Sequence, residues 1–246
     1  MVEFHFSIRW RGNKMPPIRE RVSLYKRYSS DKTESVDPFV KHFIITEGEN
    51  TEMIYLELLR NSAFFRIRSN IMIIPLEKTD EDTHTSAPNR LLEFIKKFRA
   101  EKQDLDAKYI IMFDRDSFKN QNILFKEYAE YIKNVKESGI ELLVSSPCIE
   151  LWLLLHKENS YVDLIRPNYT NIFNNNKISN THTYTSRLCS DEMGFNPKNN
   201  IPESLISKSS IAIIECENLT KIPEEMEHHI GSNMGEYLKS IQNDPR

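Results

Sequence analysis

The chain has 246 residues, 39% of them hydrophobic and 28% charged, with a net charge of −3. That is enough apolar material for a substantial core, which excludes a disordered or fibrous chain, and the charge balance excludes a whole-surface attraction to nucleic acid. No run is long and apolar enough for a membrane span and the start lacks the apolar core of a signal peptide, so the expected location is the cytoplasm, with no membrane partner.

Phe4, Phe6, Ile8 and Trp10 alternate with polar or basic residues, the period of a half-buried strand able to join a sheet edge. Between Arg9 and Arg27 lie Arg9, Arg11, Lys14, Arg19, Arg21, Lys26 and Arg27, opposed only by Glu20. Such an arm is a solubilising tail, or it binds phosphate or a partner. Tandem prolines and the Ser29-Ser30-Asp31 cluster mark 11–37 as a poorly structured linker.

The apolar run His42-Phe43-Ile44-Ile45-Thr46 predicts a strand that ends at Glu47-Gly48-Glu49-Asn50-Thr51-Glu52, before a helix carrying Met53 to Leu59. Gly48 supplies turn freedom, Asn50 or Thr51 a cap, and Glu49 or Glu52 a charge suited to the positive helix end. A second strand spans 70–75, an acidic loop 77–82, and a helix with Leu91, Leu92, Ile95 and Phe98 on one face runs to about Glu101. Tyr109-Ile110-Ile111-Met112-Phe113 then leads straight into Asp114-Arg115-Asp116. A helix over about 121–138 closes at Gly139, a strand covers 140–144, and Ser145-Ser146-Pro147 opens a very apolar helix towards His156. Four strand–helix alternations with right-handed crossovers predict a parallel three-layer α/β sheet.

Past residue 158 the chain turns rich in Asn, Thr, Ser and Tyr, with Arg166, Lys177, His182 and Arg187 scattered among Tyr161, Tyr169 and Tyr184. This predicts an insertion with short helices, whose aromatic and basic groups either read unpaired bases or are ordinary loop chemistry. Amphipathic segments over 201–217 and about 233–241 should pack back on the core. Three regions result: a basic N-terminal strand and linker (1–39), an α/β core (40–158), and the insertion with C-terminal helices (159–246).

In parallel sheets, sites collect at the carboxyl ends of strands, where Glu47, Asp114, Asp116 and Glu150 fall. If extended geometry persists, Asp114 and Asp116 point the same way. Paired carboxylates repel unless a cation sits between them, and oxygen-only ligands favour Mg²⁺ or Mn²⁺. Cys148, Cys189 and Cys216 lack metal-ligand spacing and read as reduced thiols.

The ordered motifs Ile-Ile-Thr-Glu-Gly-Glu-x-Thr-Glu-x-x-Tyr (44–55), Phe-Asp-Arg-Asp (113–116) and Ser-Pro-Cys-Ile-Glu-Leu-Trp-Leu-Leu-Leu-His (146–156), with Gly231-Ser232-Asn233 before a final helix, resemble the RloB-like family of Toprim-domain proteins. The resemblance implies a Toprim-like (Rossmann-like) core with a metal site in which Glu47, Asp114 and Asp116 hold Mg²⁺ or Mn²⁺. It adds Glu150 and His156 from a further helix motif of no secure role. Glu47 acts either as a ligand or as the general base. It further implies a toxic effector of a bacterial antiphage system of the AbiL abortive-infection type, more distantly similar to PARIS. That effector would work beside an ABC-type or AAA ATPase encoded nearby, with a homodimer also compatible. The expected chemistry is metal-dependent phosphodiester cleavage, of RNA such as transfer RNA, with DNA second. Arg9, Arg11, Arg19, Arg21, Arg115, Arg166 and Arg187 are the candidate nucleic-acid contacts. The rival expectation is a docking subunit without catalysis.

Overall fold

The computed structural model describes residues 19–20, 40–77, 88–119 and 125–242. Its centre is a six-stranded sheet, built from β1 (Arg19–Glu20), β2 (Val40–Thr46), β3 (Ile71–Glu77), β4 (Lys108–Asp114), β5 (Glu141–Ser146) and β6 (Gly231–Ser232). The spatial order is β1-β3-β2-β4-β5-β6. The four inner strands are mutually parallel, and the two-residue edge strands run antiparallel to their neighbours. The parallel α/β architecture expected from the alternating pattern is the one found. Part of the expected linker, Arg19–Glu20, instead pairs with β3 as an edge strand. The expected strand at 4–10 lies outside the described residues.

Strand alternation sorts the side chains into two cores. On one face Phe43, Ile45, Ile74, Leu76, Tyr109, Ile111, Phe113, Leu142 and Val144 pack against α2 (Pro88–Lys102) and α4 (Phe125–Glu137). On the other, Ile44, Ile73, Ile110, Met112 and Leu143 meet α1 (Thr51–Asn61) and α5 (Ile149–Leu154). The same core takes in Ile165, Ile172 and Cys189 of the insertion and Leu205, Ile213, Met234 and Leu238 of the C-terminal segment. The insertion carries a π-helical turn, Tyr161–Ile165, then α6 (Tyr169–Asn174) and α7 (Tyr184–Met193). Beyond it come α8 (Ser209–Glu215) and α9 (Met234–Ile241). Residues after 158 are therefore part of the central packing rather than an appendage.

Two sequence signals find their physical reason here. Gly139 ends α4 at φ +66, a conformation glycine adopts without a Cβ penalty. Asn233 stands in for a strand: its Oδ1 accepts from the Val144 N–H at 2.7 Å and its Nδ2 donates to the Leu142 carbonyl at 2.7 Å. It thereby satisfies the edge of β5 just beyond β6.

The chain crosses from β2 to β3 on one side and then jumps over β2 to β4. The order of strands thus reverses between β2 and β4, the point of an open parallel sheet where a crevice forms at the carboxyl ends. Glu47 follows β2 and Asp114 ends β4, so the fold puts both at that crevice.

Candidate functional site

Glu47 is fixed by its backbone, which continues the β2–β4 ladder one residue past the strand by donating to the Met112 carbonyl at 3.0 Å. The chain then turns sharply: Thr46 Oγ1 donates to the Gly48 carbonyl at 2.6 Å, and the Gly48 N–H donates to Glu52 Oε1 at 3.2 Å. Gly48 is not in the left-handed region, so the turn does not draw on the backbone freedom expected of it. Its role is space, because a Cβ there would lie 2.2 Å from Glu52 Oε2. The Asn50 side chain forms no cap, so it is the folded-back Glu52 that answers an amide at this helix start.

On the neighbouring strand the extended geometry stops at Asp114. Arg115 makes a turn and Asp116 opens α3 (Asp116–Lys119), so the two aspartates do not share a strand face. Two backbone bonds set the new direction: Arg115 N–H to the Ser145 carbonyl at 2.9 Å, and Asp116 N–H to the Pro147 carbonyl at 3.1 Å. Ser117 Oγ donates to Glu47 Oε2, joining the two acidic loops. Glu150, buried in the first turn of α5, completes the rim.

The result is a cleft of about 440 Å³ whose walls include Glu47, Glu52, Asp114, Asp116 and Glu150. Asp114 has its carboxyl pushed well above the usual carboxylate range, first by desolvation, then by the charges of Glu52, Glu150, Glu47 and Asp116. Asp116 is also raised by burial, an effect opposed by Arg115, Asn175 and Lys119. Cys148, at the cleft floor, is held strongly protonated by burial and by the adjacent acids.

The oxygen donors of these carboxylates are of the kind that suits a hard divalent cation. Asp116 Oδ1 is buried with no hydrogen-bond partner, although the Arg115 guanidinium lies 3.0 Å away. Among the described residues no three His, Cys, Asp or Glu side chains already converge as a coordination shell. The carboxylates line the cleft without forming such a shell.

The opposite wall comes from the insertion: Asn175, Asn176, Lys177, Thr183, Ser186 and Lys198, with Lys119 at the junction. The cleft is thus acidic on the sheet side and carries three lysines on the other. Glu52, Asn175, Lys119 and Lys198 were not foreseen as site residues. For Glu52 a signal existed, since a carboxylate in the first turn after the β2 loop must face the same crevice as Glu47. Asn175, in a left-handed turn at φ 39, has no comparable mark in the sequence.

Of the expected nucleic-acid contacts, Arg115 is corrected. It is only 5% exposed, lies over the Phe173 ring at 4.5 Å, and donates to the Phe173 carbonyl at 2.6 Å, so its contacts are internal. Arg166 and Arg187 are exposed, Arg187 pairing with Asp191 at 2.9 Å, and neither lines the cleft. Arg19 falls in β1 by its backbone, whereas Arg9, Arg11 and Arg21 lie outside the described residues. His156 is fully buried between Tyr55 and Trp152, its Nδ1 3.1 Å from the Trp152 carbonyl, and desolvation lowers its pKa to about 4. It is a neutral core residue away from the cleft wall. The three cysteines are free thiols, all buried.

Comparison with curated proteins and with solved structures gave no match. The family model described as RloB-like protein matches residues 42–241, which takes in every wall of the cleft. The chain belongs to the RloB-like family.

Proposed function

We propose that this protein is a metal-dependent nuclease of Toprim type, cleaving phosphodiester bonds at the cleft between β2 and β4. The observation that carries this reading is the meeting of Glu47, Glu52, Asp114, Asp116 and Glu150 at the strand-order reversal, opposite Lys119, Lys177 and Lys198. Glu47, Asp114 and Asp116 are the residues to hold Mg²⁺ or Mn²⁺, with Glu52 and Glu150 within the same cleft for a second ion. When bound, such an ion polarises a phosphoryl oxygen and lowers the pKa of a water. The lysines suit the flanking phosphates, which carry the charge that a five-carboxylate pocket alone would repel. Glu47 and Glu150 are the groups available to accept a proton from the attacking water. Ser117, by donating to Glu47, orients that carboxylate.

RNA is the favoured substrate, transfer RNA in particular. The insertion supplies Lys177 and Lys198 to the cleft, suited to phosphate contact, while its Tyr161, Tyr169 and Tyr184 are only partly buried where they pack on the core. Family membership supports a further step, in which the nuclease is the toxic effector of a bacterial antiphage system, cytoplasmic and held or triggered by a partner ATPase. The test is to express the chain with and without its neighbouring ATPase gene, challenge cells with phage, and sequence RNA and DNA ends beside an Asp114→Ala control. New RNA ends that vanish in the variant support the assignment. Toxicity that survives Asp114→Ala without new ends refutes it and leaves a docking subunit in its place.

A further inference from the structure

The end of α6 is tied to the acidic loop residue by residue. The Phe173 carbonyl accepts from Arg115 at 2.6 Å, the Asn174 carbonyl accepts from Lys119, and Asn175 Nδ2 donates to Asp116 Oδ2 at 2.8 Å. Asn175 is 4% exposed and sits at φ 39, ψ 50, a left-handed conformation that asparagine tolerates better than most residues. Its other amide atom is also used: Oδ1 accepts from the Thr185 N–H at 2.9 Å, at the start of α7. The amide is therefore clamped at both ends, with its orientation set by Thr185 and its donor aimed at Asp116. A carboxylate oxygen has lone pairs for both a hydrogen bond and a cation, and partners that fix a liganding carboxylate in this way commonly control affinity.

We propose that Asn175 is a positioning residue, which the α6 turn presents to Asp116 so that the insertion, and not the sheet alone, sets the affinity of the cleft for a divalent cation. This rests on the cleft being a cation site, as proposed above. Asn175 donates the hydrogen bond to Asp116 Oδ2, while the Arg115 guanidinium lies 3.0 Å from Oδ1 without a hydrogen bond to it, so the amide is the group that orients the carboxylate. Loss of the amide frees it to rotate, and a freely rotating ligand binds less tightly because its ordering is then charged to the cation. The same link makes the site responsive to anything that moves the insertion, a nucleic-acid strand along the lysine wall included.

The experiment measures Mn²⁺ binding to the full chain by calorimetry, for wild type, Asn175→Gly, Asp114→Asn and Tyr184→Phe. Glycine suits the left-handed backbone and removes the amide. Tyr184→Phe loosens the insertion elsewhere, since the Tyr184 hydroxyl donates to Asn168 Oδ1 at 2.8 Å, and leaves Asn175 in place. The expected result is Mn²⁺ affinity about 10–100-fold weaker in Asn175→Gly. Tyr184→Phe should stay within about twofold, because pairs without a shared partner act independently. Cleavage by Asn175→Gly should recover as Mg²⁺ is raised, which a general loss of structure would not do. Coupling is reciprocal, so Mn²⁺ should also slow hydrogen exchange at the Thr185 amide of the wild type. Unchanged or tighter Mn²⁺ binding in Asn175→Gly, or no change at Thr185, overturns the positioning role while the site assignment stands. Absence of Mn²⁺ binding by the wild type, or its persistence unchanged in Asp114→Asn, overturns both.

Discussion

Acidification provides a direct test that His156 is a core residue and not a catalyst. Its ring is fully buried against Tyr55 and Trp152, and its pKa falls from an ordinary 6.5 to about 4, chiefly by desolvation, with Lys208 adding to the effect. In the unfolded chain the imidazole takes a proton as the pH drops below its ordinary value; in the folded chain it stays neutral until much lower. Stability is therefore full at neutral pH and is lost as pH falls through that window. Integrated from about pH 7 to about pH 5, the loss is about 2 kcal/mol. The buried acids oppose it, because raised carboxyl pKa values make the folded state more stable as pH falls. The wild-type slope mixes the two, and a variant separates them. Denaturant unfolding of wild type and His156→Gln at these two pH values should show the variant losing about 2 kcal/mol less. Its constant offset from altered packing cancels in the comparison. Parallel slopes would mean that the imidazole titrates normally and is not the buried neutral group described. His42, lowered to about 4 for the same primary reason, should behave with the same sign.

Other outcomes follow from the cleft and its supports. Asp114→Asn should raise the melting temperature of the metal-free protein at neutral pH, because it removes the most crowded charge, and should abolish cleavage. A lower melting temperature in scanning calorimetry with chelator present would contradict the crowding. Gly48→Ala places a methyl against the Glu52 carboxylate and should shift the Mg²⁺ dependence of cleavage with little change in unfolding; an unchanged Mg²⁺ profile would remove Glu52 from the site. Gly231→Ala brings a Cβ to 2.3 Å from the Thr220 carbonyl, and overpacking of this kind costs about 1–3 kcal/mol. That is about 2–4 °C of melting temperature per kcal/mol for a chain of this size.

The sheet was legible because its signal is dense: the run Tyr109–Phe113 and its equivalents at 43–45 and 142–144 are buried on both faces, and such strands read as continuous apolar stretches. Glu47 and Asp114 were legible because position at the end of such a run already fixes where a side chain must lie, and Glu150 because it opens the helix that follows one. Asp116 was reached for the wrong reason, since the chain leaves extended geometry at Arg115 and delivers the carboxylate from a helix start. Arg115 was misjudged because a cation beside two acids looks solvated in sequence, while here Phe173 and its carbonyl bury it. Asn175, Lys177 and Lys198 reach the cleft from positions at least 59 residues beyond Asp116 and at least 25 beyond Glu150, where local periodicity carries no information. The insertion is polar because one side of it lines the cleft, and it is ordered because Ile165, Ile172 and Cys189 join the central core.

The most direct test of the account is cleavage by purified protein. Wild type and Asp114→Asn, at equal concentration and with matching unfolding profiles, are incubated with end-labelled transfer RNA, single-stranded RNA and DNA in Mg²⁺, Mn²⁺ or chelator. The expected result is discrete cleavage of RNA by wild type, dependent on the divalent ion and lost in Asp114→Asn. Cleavage that continues in chelator or in Asp114→Asn would contradict the claim that these carboxylates and a bound cation perform the reaction.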